Sequence, residues 1–587
     1  MGYKAGRRTG APSKPTTVCM AKPQSSRSPE HLAQAIQEAV ELHRTGQLAE
    51  AEKRYARVLK TYPGQFDALH LLGVVKHQRG KLGEAYGLIT SALKVNPRSA
   101  DALANLAMVL HALKRDEEAL ASLDQALALA PDHLEALNNH GNALLALKRP
   151  QEAVTSFQRV LELAPRHVEA RVNLGNALAA LARPEDAIAV YDAAVAMHPR
   201  HAGAHFNRGH ALGVLGRHGE AIAAFDAALT IAPQHTGALI NRGLASQALN
   251  RLDEAVKNYR AVIAIEPGHA DAHFNEALAL LTMGELRAGF EKFEWRWKRT
   301  GMEGHRRSLG RPLWLGEFPL ARKTILLHAE QGLGDTIHFV RYAPLLARTG
   351  ATVVLEVQPE LKDLLGQVEG VAAVVARGDP LPAFDLHCPL ASLPLALRTE
   401  PATVPAEIPY LTASEDWLAK WQGLENMPAP RIALAWSGRP THANDRQRSL
   451  ALASLAPLVE SSARFVGVQR DLRESDAAVL PNLPIRYVGD HLDSFTDTAA
   501  VLALCDLVVT VDTSVAHLAA AMGRPTWILL PFAPDWRWTL RDEVSPWYPS
   551  ARLFRQPAPG DWDSVIASVK SELGNWVAER GSSVGAG

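Results

Sequence analysis

The sequence predicts an α-helical solenoid followed by an α/β half built of two doubly wound parallel-sheet lobes. Three observations carry that expectation. Proline returns every 34 residues, at Pro63, Pro97, Pro131, Pro165, Pro199, Pro233 and Pro267. Beyond residue 304 this period gives way to short apolar runs that alternate with helical segments. A proline-rich stretch, Met427-Pro428-Ala429-Pro430, divides those runs into two series.

With 587 residues the chain is too long for one core. Its 62 basic and 62 acidic residues cancel, so no global field would hold it on nucleic acid or an anionic membrane. Cys19, Cys388 and Cys505 lie far apart without CxxC spacing, which argues against a disulfide framework and a zinc site. A reducing, cytoplasmic compartment is expected, because no apolar run approaches the ~18 residues of a membrane span and the N-terminus lacks the apolar core of a secretory signal. Residues 1–31 read as a disordered tail, with Lys4, Arg7, Arg8, Lys14, Lys22 and Arg27 amid Pro, Ser, Thr and Gly. A basic docking arm is its sharper reading, and Met20 is an alternative start.

Residues 32–269 read as seven copies of one unit. Twelve residues before each proline stand Ala51, Ala85, Ala119, Ala153, Ala187, Ala221 and Ala255. Eight before it stand Tyr55, Ile89, Leu123, Phe157, Tyr191, Phe225 and Tyr259. Gly73, Gly141, Gly175, Gly209 and Gly243 hold the position 24 before. Small residues let two helices approach, the bulky one fills the gap, and proline ends the second helix. Residues 270–303 keep the phase with Gly289 in place of the alanine and Phe293, Trp295 and Trp297 crowding the second helix, as expected of a degenerate eighth repeat at a junction. This pattern resembles the tetratricopeptide repeat, whose stacked helix pairs present a concave surface to peptides.

A second series, Asn105, Asn139, Asn173, Asn207, Asn241 and Asn275, recurs at the same 34-residue spacing. An amide offers donor and acceptor together and so matches the backbone of an extended peptide without reading its side chains. Alternatively, each amide ties neighbouring helices together. The ladder resembles that of the O-GlcNAc transferases, which implies a protein acceptor.

Residues 304–427 and 428–580 are expected to form the two lobes. Strands are predicted at Thr324–His328, Thr352–Val357, Val371–Val375 and Phe384–His387, then at Ile432–Trp436, Phe465–Gln469, Ile485–Val488, Leu507–Val511 and Trp527–Leu530. The amphipathic segment Trp562–Val577 reads as a closing helix. In the first lobe Gly332-Leu333-Gly334-Asp335 opens a helix after a strand, where an aspartate serves equally as a cap. In the second, Asp512-Thr513-Ser514-Val515-Ala516-His517 turns a strand into a helix, a place where first-turn amides favour a phosphate. The plainer reading makes Asp512 or Thr513 a cap and His517 a core histidine. Gln469 ends a strand, and Arg446 and Arg448 lie in a loop where a phosphate contact competes with simple solvation. The run Pro531 to Trp538 walls a cleft, its tryptophans either stacking on a ligand or packing between lobes.

Over residues 320–575 these features resemble the bacterial lipopolysaccharide heptosyltransferases, which have the GT-B architecture. That resemblance implies that Asp335 deprotonates an acceptor hydroxyl. It also implies that Gly334, Asp512, Thr513, Ser514, His517, Arg446, Arg448 and Gln469 surround a nucleotide-sugar donor. Ser514 stands where the family usually has glycine, and the 437–448 loop lacks its usual Lys-Arg-Trp, so the donor sugar stays open. Repeats joined to such a half are also similar to flagellin glycosyltransferases. The expected function is therefore inverting transfer of sugar to a protein Ser or Thr, with no cofactor and no metal. The alternatives are a non-catalytic repeat scaffold and a transferase acting on a lipid-linked glycan.

Overall fold

The computed structural model describes residues 29–302, 306–441 and 444–584, so most of the expected basic tail lies outside the described residues. The chain divides into two units, residues 1–211 and 212–587, with the boundary inside the helix Ala202–Val214.

In the first unit, helices follow one another in pairs, from Pro29–Arg44 with Leu48–Thr61 to Val168–Ala180 with Pro184–Met197. Each periodic proline stands two residues past a second helix, where its missing N–H ends the helical ladder. Ala51, Ala85, Ala119, Ala153 and Ala187 are all 0% exposed. The space they leave is filled from the next turn: a Cβ on Gly141 would fall 2.5 Å from the Phe157 ring, and one on Gly175 2.4 Å from Tyr191. These glycines are required by close approach rather than by backbone conformation. One device is absent from the sequence expectation. His133 and His167 stand at the N-caps of their helices and accept the amides of Ala136 and Ala170 through Nδ1, at 3.2 and 3.1 Å.

The second unit begins with the remaining repeats. Thr236–Ala248 pairs with Leu252–Ile265, and Ala270–Met283 with Leu286–Phe293. That last helix is only eight residues long and tightens into a 3-10 turn, Glu294–Lys298. Gly289 sits where a Cβ would meet Leu281 at 2.6 Å, and Trp295 stacks on His273 with ring centres 3.7 Å apart.

Two sheets follow. The first contains β1 (Thr324–His328), β2 (Thr352–Val357), β3 (Val371–Ala376) and β4 (Leu386–Pro389), all parallel in the order β3-β2-β1-β4. β4 starts two residues later than the apolar run predicts, because Asp385 turns its carboxylate to the Thr324 amide at 2.9 Å. The second contains β5 (Arg431–Ala435), β6 (Arg464–Gly467), β7 (Ile485–Tyr487), β8 (Leu507–Val511), β9 (Thr526–Leu530), β10 (Val544–Ser545) and β11 (Tyr548–Arg555). Its order is β10-β11-β9-β8-β5-β6-β7. β10 and β11 were not expected: Tyr548-Pro549-Ser550-Ala551-Arg552 mixes proline and polar residues, and its strand character comes from pairing with β9. The closing helix, Trp562–Val584, runs past the predicted end.

β8 and β9 are buried along their whole length, which is why they read as unbroken apolar runs rather than alternating ones. One apolar core joins Ala277, Phe290 and Phe293 of the last repeat to Ile325 and Leu327 of β1 and to Leu530, Trp536 and Trp538 of the second lobe. The chain reverses direction across the first sheet between β1 and β4 and across the second between β5 and β8. Crevices at the carboxyl ends of such strands are where α/β sheets bind ligands.

Candidate active site

In the first lobe the chain leaves β1 through Ala329–Gly332 and enters the helix Leu333–Phe339. Neither Gly332 nor Gly334 takes a positive φ, so the turn itself does not need glycine. Gly334 is needed for contact instead: a Cβ there would lie 2.8 Å from His517 and 3.5 Å from the Ser514 backbone. Asp335 is the third residue of the helix. Its Oδ2 accepts the Gly332 amide at 3.1 Å, and its Oδ1 accepts Arg537 Nη2 at 2.5 Å. The aspartate thus caps its helix and forms an ion pair with the other lobe, its side chain still 27% exposed.

In the second lobe Thr513 occupies the N-cap of the helix Ser514–Ala521 but makes no side-chain cap bond. The Ala516 amide turns back to the Thr513 carbonyl at 3.0 Å, and the amides of Ser514 and Val515 keep their capacity for an anion. Arg448 donates Nη1 to the Asp512 carbonyl at 3.0 Å and packs on Gly438, where a Cβ would meet the guanidinium at 2.8 Å. Gln469 accepts the amides of Trp436 and Ser437, at 3.2 and 3.1 Å, and so fixes the end of β5. The Ser437 hydroxyl beside it is buried without a hydrogen-bond partner. Arg446 is exposed. Burial, followed by the charge of Asp535, lifts the Asp512 carboxyl from 3.8 to about 6. Arg537 donates to Asp535 at 2.8 Å as well as to Asp335. Burial opposes its charge, but these two carboxylates outweigh burial and hold its pKa above that of an ordinary arginine.

His517 faces inward. It is 5% exposed, bonds Tyr548 Oη through Nδ1 at 2.9 Å and stacks on Trp538 at 5.1 Å between ring centres. Tyr548 also bonds His338 Nδ1 at 3.2 Å, and Arg341 lies 4.2 Å over its ring and donates to Tyr410 Oη at 3.0 Å. Burial, reinforced by the nearby arginines, holds His338 and His517 well below 6.5 and neutral. Residues of both lobes and of the segment between them thus share one buried polar network, and His517 fastens the lobes together. The tryptophans at 536 and 538 are 5% and 0% exposed, so of the two readings open for them, packing between lobes is the one observed.

Asp335 and the Asp512–His517 turn therefore meet, through Gly334 on His517 and Arg537 on Asp335. Arg446 does not join them by any bond seen here. Arg537, Tyr548, Arg341 and Tyr410 were missed by sequence reasoning. The only signal was Arg537's place inside the Pro531–Trp538 run, where the tryptophans drew attention. All six ladder asparagines are half-buried. Asn105 bonds His70 at 2.8 Å, Asn173 bonds Asn138 at 3.2 Å and Asn207 bonds Asn176 at 2.9 Å, each tying its helix to the first helix of the preceding repeat. Asn241 donates to Gly237 in its own helix at 2.8 Å. Among the described residues no group of three or more His, Cys, Asp or Glu is gathered as for a metal ion, and no helix is long and apolar enough to cross a membrane.

Comparison with known proteins finds matches in both halves of the chain. Tetratricopeptide repeat models match residues 36–90, 98–166, 132–200, 172–236 and 240–293. The model for glycosyltransferase family 9 (heptosyltransferase) matches residues 492–541, which span β8, the helix Ser514–Ala521, β9 and Arg537. Protein FlbA of Caulobacter vibrioides is 26% identical over 329 residues, 51% of this chain and 54% of that protein, so the chain spans about half the length of this curated relative. Among solved structures, a tetratricopeptide repeat protein from Parabacteroides merdae is 21% identical, covering 42% of this chain and 98% of its own, with TM-score 0.36. YrrB, described as a TPR protein with an unusual peptide-binding site, is 27% identical over 31% of this chain and 95% of its own, with TM-score 0.27. The chain is thus a tetratricopeptide-repeat protein fused to an α/β, GT-B-like half that resembles the family 9 glycosyltransferases.

Proposed function

We propose that the protein transfers a sugar from a nucleotide-sugar donor to a Ser or Thr hydroxyl of a protein acceptor held by the repeats, flagellin being the acceptor class the resemblance names. The observation that carries this reading is the meeting of Asp335 with Arg537 between the carboxyl ends of the two sheets. In the proposed reaction the acceptor oxygen attacks the anomeric carbon while Asp335 takes its proton. The bond to the donor phosphate breaks on the opposite face, which inverts the anomeric configuration. Arg537, Arg448 and the free amides at Ser514 and Val515 would meet the charge on the departing phosphates, the role a metal ion fills elsewhere. Asp512, Thr513 and Ser514 would border the donor, with Gln469 and His517 holding the surrounding backbone. The half-exposed asparagines would meet the acceptor, although their bonds between successive repeats equally support a purely structural role. We place the reaction in the cytoplasm, where nucleotide sugars are made.

A scaffold without activity is the second reading. It is favoured by the Arg537 pair, which occupies Asp335 Oδ1, and by the burial of His517. The test is to incubate the full chain with UDP-, GDP-, ADP- and CMP-sugars and a Ser/Thr-rich protein acceptor, and to read the acceptor by mass spectrometry. Transfer that is lost in Asp335→Ala while acceptor binding persists supports the enzyme. Stabilisation by no nucleotide, together with no transfer, leaves the scaffold.

A further inference from the structure

The last two repeats reach the two loops that carry Asp335 and Arg537. Arg296, from the turn Glu294–Lys298, enters the crevice between the ends of β1 and β4 and is 3% exposed. Its Nε donates to Glu330 Oε1 at 2.9 Å, its Nη2 to Ser392 Oγ at 2.7 Å and its Nη1 to Glu294 Oε1 at 2.6 Å. Glu330 is the second residue after β1, in the turn that presents Asp335; Ser392 is the third after β4. Where a doubly wound lobe ordinarily leaves a crevice for ligand, this lobe receives a guanidinium from the repeats.

The second contact is independent of the first. Asn250 lies between Thr236–Ala248 and Leu252–Ile265 with φ 56°, a left-handed conformation that asparagine tolerates. Its Nδ2 donates to the Phe532 carbonyl at 2.6 Å. In the same loop Trp536 meets the edge of Phe290, from the eighth repeat, at 5.5 Å and 88°. Arg537 follows immediately.

We propose that Asn250 and Arg296 are positioning residues, through which the seventh and eighth repeats set the geometry between Arg537 and Asp335. The proposal rests on the transferase reading above. Each loop is tied to its own lobe, by Gln358 on the Gln331 carbonyl at 2.8 Å and by Gln556 on the Phe532 amide at 3.1 Å, and each receives in addition a hydrogen-bonding side chain from the repeats. A displacement of about 1 Å at reacting groups costs on the order of 100-fold in rate. The same contacts make a chain cut at residue 303 a poor test of acceptor choice, because it would leave Glu330 buried without the Arg296 cation.

Asn250 provides the cleaner experiment. Asn250→Gly keeps the left-handed turn and removes the amide. Asn250→Asp keeps the shape but sets an acceptor against the Phe532 carbonyl. In the full chain both variants are expected to lower kcat about tenfold, with KM for donor and acceptor within about twofold. Hydrogen exchange should rise about tenfold in residues 531–538 and stay unchanged in the repeats. Asn250→Gly added to Arg537→Lys should cost no more than Arg537→Lys alone, since the asparagine acts through that arginine. Unchanged kcat and unchanged exchange in 531–538 would overturn the proposal, as would a rise in exchange spread over the whole chain. If the wild type transfers no sugar at all, the transferase reading falls, while the exchange measurement still decides whether Asn250 anchors the loop.

Discussion

Replacing Asp335 by asparagine separates its charge from its structural duty. The asparagine carbonyl can still accept the Gly332 amide, so the helix cap survives. Arg537 keeps Asp535 at 2.8 Å, so no buried cation is left without a partner. What disappears is one ion pair whose carboxylate side chain is 27% exposed, worth about 1 kcal/mol or less after solvent screening. If Asp335 takes the acceptor proton, the same change removes a general base, worth about 100- to 10,000-fold in rate, or about 3 to 5 kcal/mol. The catalytic effect exceeds the stability effect by a wide margin, so a folded but inactive chain is expected. Initial transfer rates with the donor found in the nucleotide-sugar screen, beside thermal unfolding of the same sample, measure both quantities. An Asp335→Asn chain that transfers within about threefold of the wild-type rate would refute the assignment of the base.

Three further outcomes follow from the same geometry. Gly243→Ala gains about 1 kcal/mol of helix propensity but sets a Cβ 2.5 Å from Tyr259, an overpacking that costs about 1–3 kcal/mol, so its urea midpoint should fall; Gly83→Ala, with open space around it, should rise. Burial, against the pull of Arg296, lifts the Glu330 carboxyl from 4.5 to about 7, so the native state binds the extra proton and loses stability as pH rises from about 4.5 to 7. Glu330→Gln has no such loss, and its melting temperature relative to wild type should therefore climb between pH 5 and pH 8; a flat difference would contradict the sign. Arg448→Gln should weaken the stabilisation given by the selected nucleotide about tenfold in Kd, read by thermal shift, while a substitution at exposed Arg446 should leave it within about twofold.

The repeats were legible in the sequence because their determinants are local. The proline, the small residue and the bulky residue of each unit act on neighbours within 34 positions, and 0% exposure of Ala51, Ala119 and Ala187 expresses that directly. The central strands were legible for a similar reason, whereas β10 and β11 were not: burial on both faces leaves runs such as Leu507–Val511 without a polar residue except Thr510. Even so, the histidine caps escaped notice, although His133, His167, His201, His235 and His269 keep the same period. Histidine is an unusual N-cap, and only its Nδ1 contact reveals that use.

The composition of the site was decided by tertiary structure alone. Sequence pattern marked Asp335 and His517 as neighbours of turns, but the partner of Asp335 lies 202 residues away, and that of Asn250 lies 282 away. No periodicity or local spacing encodes such pairs. They arise because the apolar core shared by the last repeat and both lobes brings their surface loops together, and a buried charge must then find an opposite charge or a hydrogen bond. The local pattern determined that there would be two strand-to-helix turns, one ending in Asp335 and one running from Asp512 to His517. The packing of the core determined that Arg537 stands beside Asp335, that His517 looks inward, and that the repeats hold the loops from behind.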